Sequence, residues 1–299
     1  MAPKASSTAK ADSKKADRRT ADTAELRRLL LAGPDFSLDA VDPHSTPGFD
    51  GGKKAGIAAL AAGADALSSL QEKLFAESRT GSGIAVLLLL QGMDTSGKGG
   101  IVRHVVGLVD PQGVQHHAFK APTEEERSHD FLWRVRRRLP EAGRIGVFDR
   151  SHYEDVLVHR VRGLSPADVV EKRYGAIRAF ENEVAASGTR VLKVMLHISK
   201  DEQKARLAER LERKDKYWKY NPGDVDERGY WQQYQEAYQT AIERTSTPDT
   251  PWYVVPADRK WYARLAVQHL LTATLEDMQL SWPAATFDVE AEKKRLAAS

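Results

Sequence analysis

Cysteine is absent from the 299 residues. Its absence excludes a disulfide framework, thiolate zinc sites and thiol catalysis, and it is compatible with a reducing compartment. No apolar run approaches the roughly 18 residues that would span a bilayer, and the N-terminus lacks the apolar core of a secretory signal. The expectation is therefore a cytoplasmic protein with no membrane partner. Net charge is scarce as well, since 45 Lys and Arg nearly balance 42 Asp and Glu to leave +3. The nine histidines show no paired metal-ligand spacing, so structural or surface roles are the default for each, and His152 alone draws interest through its polar neighbours. No internal repeat is present.

What charge there is lies unevenly. Residues 1–20 hold six Lys and Arg against two Asp, so the rest of the chain carries one net negative charge. With almost no large apolar residue to offset its ordering entropy, the segment 1–22 is expected to be a disordered basic tail. An organellar presequence and a polyanion-contacting arm are the alternatives for it. At 41% hydrophobic residues overall, the chain can bury a sizeable core beyond that tail. One α/β domain over residues 23–283 is expected, with 284–299 as a C-terminal tail.

The chain is organised around Ile84 to Val106. Seven apolar residues, Ile84 to Leu90, read as a central strand of a parallel sheet. Gly92, Gly97, Gly99 and Gly100 follow in a turn that can bring backbone N–H groups close to an anion, and Ile101 to Val106 resumes with helical spacing. Against the pattern G-x-x-x-x-G-K-[ST], Gly92, Gly97 and Lys98 fit, but Gly99 stands where a hydroxyl normally reaches Mg²⁺. Asp94 lies inside the loop, where a carboxylate can take over part of that ligation. A glycine turn after a core strand is the plain alternative, but it does not need the lysine.

Helices are expected over Ala21 to Ala32, Lys53 to Glu77, His129 to Leu139, Val169 to Ser187, Ser199 to Arg213, Asp226 to Thr245 and Lys260 to Met278, with a helix start at Pro122 to Glu126. Further strands are expected at Val114 to Phe119, Arg144 to Phe148, Val191 to Ile198 and Pro251 to Pro256. The third strand ends at Asp149, at the carboxyl edge where open α/β sheets bind ligands, and an Asp there is the second metal-binding element expected beside a phosphate loop. Arg206, Arg210, Arg213 and Lys214 share one face of a helix, which predicts either a solvated basic face or a lid, about 200–222, closing on phosphates.

Four ordered motifs, Gly92-Met93-Asp94-Thr95-Ser96-Gly97-Lys98-Gly99-Gly100, Phe119 to Glu126, His129 to Arg134 and Phe148 to Asp155, make the chain resemble the polyphosphate kinase 2 family from about Leu38 to Pro283. The Gln-Gly-Met-Asp loop and the Ser-His-Tyr-Glu-Asp element look most like its class III. The resemblance implies a three-layer α/β/α P-loop kinase-like fold with a mostly parallel five-stranded sheet and a helical lid. It implies Mg²⁺ as cofactor, phosphoryl transfer between inorganic polyphosphate and nucleoside mono- and diphosphates carrying adenine or guanine, and a homo-oligomer, dimer or tetramer. Carried over by residue, it implies Asp94 and Asp149 as metal ligands, Lys98 as phosphate ligand, Arg150 at the transferring phosphate and Arg210 with its neighbours as lid contacts. Gly92, Thr95, Ser96, Gly97, Gly99, Gly100, Arg103, Lys120, Arg134, Arg206, Arg213 and Lys214 complete the expected phosphate or polyphosphate contacts.

The chemistry accounts for this set of residues without the resemblance. A nucleotide phosphate oxygen is already ionised near neutral pH, so no general base is needed, and catalysis reduces to alignment and charge neutralisation. Two other readings share some of the features: an ATP-dependent nucleotide or metabolite kinase, and a non-catalytic polyanion- or nucleic-acid-binding module using the basic tail. Nucleic acid is not the expected partner.

Overall fold

The computed structural model describes residues 23–299, so the expectation of a disordered tail at 1–22 lies outside the described residues. Five strands, β1 (Ala85–Gln91), β2 (Val114–Ala118), β3 (Ile145–Asp149), β4 (Thr189–His197) and β5 (Trp252–Pro256), form one sheet in the order β2-β3-β1-β4-β5. Every pairing is parallel, where a mostly parallel sheet was expected. All seven residues of β1 are buried. A strand covered on both faces can be apolar throughout, which is why the Leu-rich run reads as central.

Helices cover both faces. One layer gathers α1 (Thr23–Leu30), α2 (Lys53–Ala62), α3 (Ala64–Ser78) and α4 (Lys98–His104) around α12 (Lys260–Glu276), and the other packs α7 (Glu154–Val161), α8 (Ala167–Ala186) and α11 (Trp231–Thr245) together. The three-layer α/β/α arrangement is the expected one. After β4, α9 (Lys200–Glu212) is capped by Ser199, whose hydroxyl accepts from the Glu202 N–H. Among the described residues no helix is long and apolar enough to cross a membrane.

Three local expectations need correction. The helix predicted over 53–77 is two helices that meet at Gly63, beside which Gln268 donates to the Leu60 carbonyl. The one predicted over 129–139 shrinks to α6 (Trp133–Arg136), because the Asp130 carboxylate accepts from the Leu132 N–H and fixes a turn there. The one predicted over 226–245 begins as α10 (Gly223–Glu227) and a 3-10 turn before α11. In the final segment α13 (Val289–Ala297) forms a helix with no buried residue. The predicted start at Pro122 to Glu126 does become a helix, α5 (Glu124–Arg127), through a reciprocal capping box between Thr123 and Glu126.

Candidate active site

The carboxyl end of β1 runs into the glycine loop. Gly92 has φ +146, and a Cβ there would lie 2.6 Å from the Leu196 carbonyl oxygen, so no other residue fits. Gly97 has φ +115 and leads directly into α4. Lys98 is buried and its Nζ donates to the Gly92 carbonyl at 2.8 Å, which curls the loop around the ammonium group. Thr95 adopts φ +65, an unfavourable conformation for a β-branched residue. The buried Thr95 Oγ1 and Ser96 Oγ have no hydrogen-bond partner among the described residues. The loop thus holds unspent polar atoms of its own.

The register of the sheet sets Asp149 beside this loop, since Leu90 of β1 pairs with Asp149 of β3. Arg150 follows with φ +63, its N–H donating to the Leu90 carbonyl and its guanidinium donating to Asp94 Oδ1 at 2.9 Å. Partial burial acts to lower the Arg150 pKa, but Glu154, Asp94 and Asp149 outweigh it and raise it. Glu154 at the start of α7 shows the opposite balance. Burial lifts its carboxyl above the ordinary range in spite of Arg150 and Lys98.

Below the site lies a dry charge cluster. Lys193 Nζ donates to Glu181 Oε2 at 2.6 Å, to the Thr245 carbonyl at 2.9 Å and to the Tyr153 hydroxyl at 3.2 Å. His152 Nε2 lies 3.2 Å from Glu181 Oε1, and the Tyr153 hydroxyl donates to the same oxygen at 2.8 Å. Burial would raise the Glu181 carboxyl, but Lys193 and His152 hold it below its usual range. His152, the one histidine singled out in the sequence, is therefore a buried structural partner that anchors the turn behind Arg150.

A cleft of about 530 Å³ collects most of the expected residues: Asp94, Thr95, Ser96, Gly97, Lys98, Gly99, Gly100, Arg103, Lys120, Asp149, Arg150, Arg206 and Arg210 all line it. Gly92 supports the loop from behind. Arg206, expected as a polyanion ligand, spends its donors otherwise: it is 5% exposed and bonded to backbone carbonyls and Glu202. Arg213 lies outside the cleft, between Glu209 and Asp215, and Lys214 is exposed away from it. Helical periodicity alone put these four cations on one face, but the helix ends at Glu212 and the chain turns. Arg134 is buried over the Phe119 ring and donates to the Lys120 carbonyl, facing a second cavity of about 400 Å³. The two cavities share Phe119, Lys120 and Arg150 as a common wall.

Sequence reasoning missed Lys260 and Arg264, which line the cleft from the first turns of α12. Their spacing of four on a helix start was the available signal. Arg264 has its pKa lowered by burial and then by Arg103 and Arg206, a measure of how much positive charge converges there. Lys216 and Lys219 also line the cleft, from a 3-10 segment Lys214–Lys219. Among the described residues no group of three or more His, Cys, Asp or Glu is arranged to hold a metal. Two carboxylates on a phosphate cleft nonetheless suit Mg²⁺, which is commonly held by one or two carboxylates plus substrate phosphates.

A strand, glycine loop and helix at the carboxyl edge of a parallel sheet ordered 2-3-1-4-5, with an Asp on the neighbouring strand, define the P-loop kinase-like class. Within it, the chain belongs to the polyphosphate kinase 2 family: residues 52–283 match the family model described as Polyphosphate kinase 2 (PPK2). It is similar to the crystal structure of Polyphosphate Kinase 2 from Arthrobacter aurescens TC1, at 56% identity and a TM-score of 0.91, covering 94% of this chain and 98% of that one. A curated relative from Meiothermus ruber, an AMP/ADP-polyphosphate phosphotransferase, is 48% identical over 248 residues, 83% of this chain and 91% of its own. Another from Rhodopseudomonas palustris, an ADP-polyphosphate phosphotransferase, is 45% identical over 232 residues, 74% of this chain and 79% of its own.

Proposed function

We propose that this chain is an enzyme that transfers phosphoryl groups between inorganic polyphosphate and nucleoside mono- and diphosphates. The observation that carries the reading is the cleft, in which a phosphate loop, the carboxylates Asp94, Asp149 and Glu209 and a ring of Lys and Arg face one another. Such a surplus of cations exceeds what one nucleotide requires and suits a longer polyanion. The relatives named for AMP, ADP and polyphosphate support the same chemistry. Acceptance of both AMP and ADP, and of guanine as well as adenine, belongs to this proposal, as do a homo-oligomeric assembly and a cytoplasmic location.

In this reading the nucleotide phosphate oxygen attacks already ionised, so the protein needs no base. Loop N–H groups and Lys98 align the phosphates, and Arg150, released from Asp94, neutralises charge on the transferring group. Arg210 contacts the chain of phosphates from the end of α9, Lys216 and Lys219 beyond it close over that chain as a lid, and the second cavity beside Phe119 and Arg134 accommodates the nucleoside. Asp94 and Asp149 would hold Mg²⁺, which supplies further neutralisation of the phosphate oxygens when bound. The test is to incubate the purified protein with polyphosphate and AMP or ADP, with Mg²⁺ or with a chelator. ADP and ATP should form only with both polyphosphate and Mg²⁺. Formation of nucleotide product from ATP but not from polyphosphate would replace this reading with an ATP-dependent kinase.

A further inference from the structure

We infer that Arg206 is a positioning residue for the phosphate loop, and that α9 is a fixed brace behind that loop rather than part of a moving lid. A loop whose N–H groups turn inward to an anion turns carbonyls outward, and buried carbonyls need donors. Here those donors come from one face of α9. Gln203 Nε2 donates to the Asp94 carbonyl at 3.2 Å, and Arg206 NH1 donates to the carbonyls of Thr95 at 2.8 Å and Ser96 at 3.0 Å. The Thr95 bond also offsets the strain of its φ of +65.

The rest of the guanidinium ties the loop to the sheet. Its NH2 donates to the Ala257 carbonyl at 2.6 Å and the Asp258 carbonyl at 2.9 Å, just after β5, and Nε donates to Glu202 at 2.7 Å. These contacts number as many as the five N–H donors of a guanidinium, so none is left for a phosphate. The helix is pinned as well. The Ser199 N–H donates to Asp258 Oδ1 at 2.8 Å, and Arg228 donates to Gln203 Oε1 at 2.8 Å and to the Lys200 carbonyl at 2.9 Å. The first break comes at Arg213, which is extended at φ −112, ψ 113. Beyond it lies the 3-10 segment Lys214–Lys219, in which no residue is buried and Trp218 is 78% exposed. Any closing motion is therefore hinged at Arg213, leaving Arg210 as the last fixed cation.

The kinetic part of the test rests on the phosphoryl-transfer reading, and the exchange part does not. Arg206→Lys keeps the charge and loses the fork. Steady-state transfer from polyphosphate to ADP should show kcat reduced about 10- to 100-fold, as for a misplaced catalytic loop, with KM for polyphosphate changed less than about threefold. Hydrogen exchange in the ligand-free protein should quicken at the amides of residues 92–98. Gln203→Leu, which leaves Arg206 and its charge intact, should move both readouts the same way by less, and it decides the matter if Arg206→Lys does not fold. A raised KM with kcat and loop exchange unchanged would overturn the inference and make Arg206 a direct polyanion ligand. If the wild-type protein transfers nothing from polyphosphate, the proposed function fails, while loop exchange in the two variants still upholds or sinks the brace.

Discussion

The protein gathers charge in two places and treats it in opposite ways. In the dry cluster, Lys193 and Glu181 are fully buried, and each is matched by a partner and satisfied by Tyr153, His152 or Thr245. In the cleft, Lys216, Lys219, Lys260 and Arg264 converge with only Asp94, Asp149 and Glu209 lining the same wall to balance them and the loop's own cations. Balanced charge taken out of water holds elements in register, because losing either partner strands the other. Unbalanced charge left at a wet surface stores an affinity for something anionic. Counting charged residues cannot separate the two uses; pairing and exposure do.

Breaking the balanced side should have the largest effect. Lys193→Met leaves Glu181 buried without its cation and should destabilise the fold by about 3–5 kcal/mol, read from denaturant unfolding. Adding Glu181→Leu should recover more than half of that loss. A single variant as stable as wild type would mean that the cluster is not the architectural element described. On the cleft side the prediction inverts: Asp149→Asn should lower kcat by about 10²-fold or more, while stability changes by roughly half a kcal/mol or less. Measuring kcat and the thermal midpoint on the same sample separates the two regions.

Glu154 stands between the regions, since it is a partly buried carboxylate facing the cleft cations. Burial raises its pKa, so the folded state is most favoured with the proton on, and stability falls as pH rises from the ordinary carboxylate value through the raised one. Glu154→Gln should therefore raise the melting midpoint at pH 7–8, and the gain should shrink as the buffer is brought down toward pH 4. Transfer should fall in the same variant, because Arg150 and Lys98 lose a nearby anion. The smallest effect is expected at Arg213, half-exposed between Glu209 and Asp215. Arg213→Ala should leave both the melting midpoint and kcat essentially unchanged; a large loss of transfer would return Arg213 to the polyanion site.

Much of this was legible in the sequence, for local reasons. Four of the strands and the loop declare themselves through apolar runs and glycines whose meaning needs no distant partner, Asp94, Lys98 and Asp149 follow from their places in the loop and at a strand end, and Arg150 came from the resemblance. What escaped depends on residues far apart in the chain. Lys260 and Arg264 reach the loop only because β5 pairs beside β4, and Glu181 meets Lys193 across the gap between α8 and the sheet. Arg206 misled because period 3.6 gives a face without saying what covers it. Its true environment is the back of the loop it was expected to reach around.

The central place of β1 also sets a problem of timing. Val86 pairs with Ile145 on one side and with Arg190 on the other, so the most apolar strand of the chain is synthesised well before either neighbour. At typical elongation of about 5–20 residues per second, roughly 5–20 s pass before the later partner emerges from the ribosome. During that interval a bare Leu-rich edge is open to non-native pairing, as expected for parallel sheets assembled from distant segments. The strand that presents the phosphate loop is thus the stretch on which recombinant yield and chaperone demand should depend most.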